Sequence, residues 1–255
     1  MHVMAVIRML GFLLGSCIFV PWAWLMRELR GGKNVDSAKL FHKMACFVFG
    51  IKVRIHGTPR EYGDTPTVFT SNHVSHLDIP VLGSHLNARF VAKAEVSDWP
   101  VMGQFARTQR TIFIERTKSA LEGAKDTIGA AIGEGFNIIL FAEGTSTDGR
   151  EVKPFKASLF QMFYEEKPVT AMVQPVAIVI ESAGGRKPDD QVTRDIYAWW
   201  RAEESFAPHL WKFAKSGGAV INVHYLPVLD PKAFADRKAL AHAAGEAVAR
   251  IVAAA

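Results

Sequence analysis

Cysteine is nearly absent: two residues in 255, Cys17 and Cys46, each inside an apolar stretch. That excludes a disulfide scaffold, offers no Cys/His spacing for a metal, and fits a reducing compartment. Internal repeats, low-complexity tracts and zinc-finger or other nucleic-acid-binding patterns are missing too. No Gly-x-Ser-x-Gly turn occurs. The nearest approach, Gly144-Thr145-Ser146-Thr147-Asp148, lacks the closing glycine, which removes a serine hydrolase of the nucleophile-elbow kind. Charge is modest, 22% of residues against 49% hydrophobic, so the body is globular and not disordered. At this length one α/β domain, or one with a small accessory element, can bury a full core.

Charge is wholly absent from Met9 to Met26, 18 residues in a row. As a helix this run spans about 27 Å at roughly 1.5 Å per residue, close to a hydrocarbon core of about 30 Å. Trp22 and Trp24 suit the headgroup level, and Arg27 and Arg30 follow. Residues 27–60 hold eight basic side chains against Glu28 and Asp36, a net of +6, while the whole chain carries +5. A basic block beside an apolar run points to anionic lipid, with the basic end facing the cytoplasm. A cleaved signal peptide is the weaker competitor, because only Arg8 precedes the run; a buried core helix is the other. Residues 38–51 predict a second, amphipathic helix, with Leu40, Phe41, Met44, Phe47 and Val48 on one face and Lys39 and Lys43 on the other. Such a helix suits a membrane surface or the side of a domain equally. Residues 1–50 are thus expected to be membrane-anchoring helices and residues 51–255 the main globular domain.

After Gly50, strand and helix patterns alternate. Strands are expected at Lys52–His56, Thr67–Ser71, Ala88–Lys93, Thr111–Glu115, Asn137–Ala142, Met172–Glu181 and Ala219–Val228. Helices are expected at Leu77–Leu86, Glu95–Arg107 (broken near Pro100), Ser119–Gly133, Ala157–Glu166 and Phe234–Ala254, with a loop at Ser182–Asp190. This order implies an α/β fold: a mostly parallel central sheet flanked by helices.

Chemistry gathers where strands stop. Thr67–Ser71 runs into Asn72-His73-Val74-Ser75-His76-Leu77-Asp78, and the carboxyl ends of strands are where open α/β sheets bind ligands. A tight turn can return the Asp78 carboxylate to the His73 imidazole, fixing its tautomer and freeing the other nitrogen to take a hydroxyl proton. His76 is expected to be a turn or packing residue. Three further clusters follow: Thr111–Arg116, ending in a cation; Asn137–Ser146, ending in Glu143-Gly144-Thr145-Ser146; and Val173-Gln174-Pro175-Val176, whose proline points to an edge strand or a local distortion. Alone, each is an ordinary strand-to-loop junction. Four in order on one sheet are what a site assembled from loops requires.

These blocks resemble the glycerolipid acyltransferases, the group that includes 1-acylglycerol-3-phosphate acyltransferase. NHVSHLD is similar to their Asn-His-x4-Asp block, TIFIER to the second, FAEGTS to the third and VQPVAI to the fourth, in the same order over about residues 50–230. The resemblance implies His73 as general base and Asp78 as its brace, with no covalent acyl-enzyme. It implies Asn72, Arg116, Glu143, Gly144, Thr145 and Pro175 as substrate-binding positions, Arg116 on an anionic head group and Pro175 in an acyl-chain or structural role. It further implies an acyl-CoA or acyl-carrier-protein donor, a lyso-lipid acceptor, contact with membrane lipids, no metal and no other cofactor, and a place on the inner membrane facing the cytoplasm. Two departures bear on the acceptor: Ala142 replaces the usual proline, and Ser146 the frequent arginine, with Lys153 and Lys156 close behind. The stretch Glu143–Phe160 and the run from Ile196 to Lys212 are similar to bacterial relatives that acylate lyso-ornithine or related aminolipids, so phosphatidate and aminolipid synthesis compete. A non-catalytic, membrane-anchored lipid-binding protein of the same fold is the alternative outside enzymes.

Overall fold

The computed structural model describes residues 2–29, 36–61, 63–98, 102–114 and 127–255. It opens with two helices, α1 (His2–Leu29) and α2 (Asp36–Phe49), followed by strands β1 (Ile51–His56) and β2 (Thr67–Ser71). A short helix α3 (Asp78–Gly83) leads to β3 (Ala88–Lys93), a 3-10 turn, α4 (Met102–Thr108) and β4 (Ile112–Ile114). Helical residues 127–133 precede β5 (Asn137–Phe141), a 3-10 stretch Ala157–Phe163 and the long strand β6 (Met172–Ala183). Helices α5 (Gln191–Tyr197) and α6 (Phe206–Lys215), strand β7 (Ala219–Tyr225) and α7 (Arg237–Ala253) complete the chain.

The seven strands form one sheet in the order β1-β7-β6-β2-β5-β3-β4. Every neighbouring pair is parallel except β6 with β7. The central strands are covered on both faces: all five residues of β2 are buried, the hydroxyl residues Thr67, Thr70 and Ser71 included. One core gathers α1, α2, α5 and α6 over one face, with Phe12, Phe41, Phe49, Phe69, Tyr197 and Phe213 among its members. The other packs α7 and the Ala157–Phe163 stretch over the opposite face, around Ile138, Leu140, Phe160 and Val248. The starts of α5 and α7 are set by Asp190, which accepts from Thr193 N, and Asp236, which accepts from Lys238 N and Ala239 N.

Several expectations shift. Pro175 lies in β6, a central strand paired with β2 through Thr70, and not at an edge. It fits because the ladder between β6 and β7 begins only at Val176, while the Pro175 carbonyl still accepts Leu226 N at 3.0 Å. Residues 157–163 wind as a 3-10 turn, and β6 runs on to Ala183 through a register shift near Ile180. The expected loop begins two residues later, after Ala183, and runs to Asp190, turning at Gly184 and Gly185 with positive φ. The buried face of α2 is Phe41, His42, Ala45, Cys46 and Phe49, whereas Leu40 is exposed and Phe47 is 85% exposed. That face turned because α2 has partners on two sides: Met44 and Val48 pack at Gly15 and Gly11 of α1, and Phe41 stacks on Phe105 of α4.

Candidate active site

Strands β2 and β5 lie side by side and parallel, so the loops leaving their carboxyl ends meet. Their joining is explicit. Ala142 N donates to Ser71 O at 3.0 Å and Thr147 N to His73 O at 2.9 Å, while the His73 ring stacks on Phe141 with centroids 4.0 Å apart.

His73 Nδ1 lies 2.9 Å from Asp78 Oδ2. An ionised carboxylate only accepts, so Nδ1 carries the proton and Nε2 keeps its lone pair. The chain makes this turn because the same oxygen also accepts from Val74 N at 2.7 Å and Ser75 N at 2.9 Å, which folds the loop around the carboxylate. Asp78 is fully buried and the His73 side chain 20% exposed, so the open part of the pair is the imidazole. Among the described residues no hydrogen bond reaches Nε2.

Glu143 faces inward. Its Oε1 accepts from His73 N and its Oε2 from Lys153 N, both at 2.7 Å. Burial pushes its carboxyl up to about 7, against the pull of those two amides. It holds the backbone of the histidine, with neither oxygen left over. Asn72 is similarly committed: its amide donates to Ile178 O and accepts from Ile178 N, tying β2 to β6. Gly144 turns at φ +68, and a β-carbon there would sit 2.5 Å from the Nζ of Lys156. Lys156 is held by its backbone to Ala142 O, and among the described residues no carboxylate pairs with its ammonium. Thr145 is half-buried beside it, and Pro175 is buried in β6. Arg116 lies outside the described residues; β4, parallel to β3 and β5, ends two positions earlier at that same carboxyl edge.

Behind the loop, His76 Nε2 and His209 Nδ1 share a hydrogen bond of 2.9 Å, both rings buried, with Trp199 and Phe206 edge-on to His76. Burial depresses the basicity of both imidazoles, His209 to about 4. His76 is therefore a neutral packing partner. The run from Ile196 to Lys212 packs at this point: Trp199 and Trp211 are half-buried, whereas Trp200 is exposed. Tyr197 lies in the Ile196–Lys212 run that resembles the aminolipid branch, but nothing in that run assigns it a partner. Its hydroxyl donates to Asp78 Oδ1 at 2.8 Å from 119 positions away.

Residues 52–179 match the profile of the family described as Acyltransferase. A lyso-ornithine lipid O-acyltransferase from Brucella abortus is 33% identical over 89% of this chain and 85% of its own length. A protein of the same name from Rhodobacter capsulatus is 32% identical over 96% of this chain and 86% of its own. A 1-acyl-sn-glycerol-3-phosphate acyltransferase from Neisseria gonorrhoeae is 28% identical, covering 82% of this chain and 77% of its own. Among solved structures, the 1-acyl-sn-glycerophosphate acyltransferase PlsC from Thermotoga maritima superposes with a TM-score of 0.70 over 99% of this chain and 96% of its own, at 21% identity, which bears on fold.

Proposed function

The chain belongs to the Acyltransferase family, and from that premise we propose that it esterifies the free hydroxyl of a lyso-ornithine-type lipid with an acyl group from acyl-CoA or acyl-carrier protein. The observation that carries the mechanism is the His73–Asp78 pair with its Nε2 edge open. The acceptor hydroxyl gives its proton to Nε2 as its oxygen attacks the thioester carbonyl. The imidazolium that forms is stabilised by Asp78. Collapse of the tetrahedral oxyanion expels the thiolate, which takes the proton back from His73, leaving ester and free thiol. The residues present need no metal or further cofactor for this sequence of steps.

Three observations favour the aminolipid acceptor. Three relatives of that name, at 32–33% identity, exceed the 28% of the phosphate-accepting one, although a fourth is also at 28%. Ser146 stands where a phosphate-binding arginine is frequent. The Lys156 ammonium over the Gly144 turn can pair with the single carboxylate of an ornithine head group. Arg116 is assigned to the same anionic group, Gly144 and Thr145 to the pocket wall, Asn72 and Pro175 to its framework.

We also propose attachment to the inner membrane from the cytoplasmic side, and α1 supports membrane association. Residues His2–Ala23 form an apolar helix of mean hydropathy 2.3, long enough to cross a bilayer by length and composition. Its outward stripe includes Val3, Ile7, Leu10, Leu14, Ile18, Leu25 and Leu29. Its other side is occupied: Phe12 meets Phe41, Phe49 and Phe105, and Arg8 donates to Ala214 O and Ser216 O. Crossing the bilayer would drag α2 and α4 into hydrocarbon, so α1 beds lengthwise in the near leaflet.

The test is purified protein with palmitoyl-CoA or palmitoyl-carrier protein and either lyso-ornithine lipid or lysophosphatidate, following free thiol and ester. Thiol release with lyso-ornithine lipid above that with lysophosphatidate is expected. Release with lysophosphatidate alone, or with no acceptor at all, overturns the assignment.

A further inference from the structure

Asp78 has two oxygens, and the mechanism above uses one. Oδ2 serves the histidine and two backbone amides; Oδ1 accepts the hydroxyl of Tyr197 at 2.8 Å. Tyr197 is fully buried and closes α5, an element none of the four polar blocks contains. Its ring packs against Phe213, and the next residues grip the same loop, Trp199 N donating to Val74 O at 2.9 Å. We propose that Tyr197 is a positioning residue for the acyl transfer, setting both the plane of the Asp78 carboxylate and the share of its charge that reaches His73. This rests on the assignment of His73 as the base.

The physical argument is one of competition for a single charge. A buried carboxylate with four donors divides its negative charge among them. A phenol on Oδ1 draws density from Oδ2 and so weakens the pull on the imidazole proton. It also stops the carboxylate from turning about its last torsion, because rotation would separate Oδ1 from the only side-chain donor it has among the described residues. The phenol stays protonated: burial and the neighbouring carboxylate drive its acidity far below that of free tyrosine. The other titratable groups around the pair are Glu143, which accepts from His73 N and from Lys153 N, Cys46 of α2 and, beyond His73, His76 with His209 of α6.

Tyr197→Phe removes the O–H and keeps the ring in its packing. Expected are a drop in kcat of about tenfold, as for loss of one hydrogen bond to a charged group, KM values for both substrates within about threefold of wild type, and an acid limb of kcat/KM displaced to higher pH. Replacing Tyr197 by 3,5-difluorotyrosine, a stronger donor of nearly the same shape, should move that limb to lower pH. A merely structural tyrosine would lower the melting temperature and leave the pH profile of the surviving activity where it was. Should Tyr197→Phe not fold, the difluorotyrosine protein alone decides. The substrate-free protein supplies an independent readout: in ring-15N-labelled material, the Nδ1–H signal of His73 should shift in opposite directions in the two variants. Unchanged profiles together with an unmoved signal overturn the inference. Opposite signal shifts in a protein that transfers no acyl group would instead leave Tyr197 coupled to Asp78 and overturn the acyltransferase assignment.

Discussion

Consider the carboxylate of Asp78 replaced first by an amide and then by nothing. In the native loop four donors converge on it: His73 Nδ1–H, Val74 N–H, Ser75 N–H and the Tyr197 hydroxyl. In Asp78→Ala all four lose their acceptor at a position with no exposure. Each unmade bond is worth about 1–3 kcal/mol, so the loss reaches about 4 kcal/mol even at the low end, a large part of the 5–15 kcal/mol typical of a domain. That corresponds to a melting temperature roughly 10 °C lower. Asp78→Asn keeps an acceptor for the loop in one orientation, the amide oxygen turned to His73, Val74 and Ser75 and the amide nitrogen donating to the Tyr197 oxygen, and only the phenolic proton loses its acceptor. Charge assistance is lost, but no charge needs burying, and melting should fall by only a few degrees, about 1 kcal/mol. Turnover tells the opposite story. Without a negative partner the imidazolium is unsupported, and Asp78→Asn should lose about 10²–10⁴ in kcat. Thiol release and thermal denaturation, measured on the same preparations, read both quantities. An Asp78→Ala protein melting within about 2 °C of wild type, or an Asp78→Asn enzyme within tenfold of wild-type turnover, would refute the reasoning.

His73→Ala should lower thiol release by about 10²–10⁴ and melting by a few degrees, because the ring stacks on Phe141 and gives up one bond to Asp78 worth about 1–3 kcal/mol; comparable turnover would displace His73 as the base. Glu143 supplies a pH signature. Its folded carboxyl titrates near 7 and its unfolded one near 4.5, so its contribution to stability is greatest below pH 4.5 and declines as pH rises through 7. Against Glu143→Gln, wild type should lose up to about 3 kcal/mol between pH 4.5 and 8 in denaturant titrations; a difference independent of pH would contradict the buried charge. On α1, Leu10→Glu with Leu14→Glu should weaken binding to anionic vesicles by tenfold or more, roughly, with melting unaffected. Phe12→Ala, on the buried side, should instead destabilise the fold by about 3–5 kcal/mol. Equal effects of the two on vesicle binding would undo the one-leaflet arrangement.

The strands were the most readable part of the chain. Thr67–Ser71 and Ala88–Lys93 have the bounds their alternation and apolar content predict. Asn137–Phe141, a buried strand ended by a carboxylate and a glycine, is placed almost as well. What escaped was whatever depended on a partner distant in sequence. The α2 stripe is ambiguous by periodicity because Leu40 and Phe41 both fit an apolar face, and only α1 and α4 decide between them. Helices α5 and α6 are short, and helix propensity says little over seven to ten residues. Glu143 and Asn72 look like pocket residues in a linear motif, yet their polar atoms are satisfied by backbone from Lys153 and Ile178. His73 and Asp78 could be found because they are five apart; Tyr197 could not, because its partner lies 119 residues away.

Arg8 gives α1 a mechanical meaning. Its guanidinium holds the last carbonyls of α6, and α6 carries His209 beneath the loop of the base. The exposed apolar stripe of α1 and His209 are thus connected through Arg8 and α6. Under the proposed one-leaflet arrangement, that connection would set the altitude of the imidazole above the acyl chains and so the height at which an arriving lipid meets it.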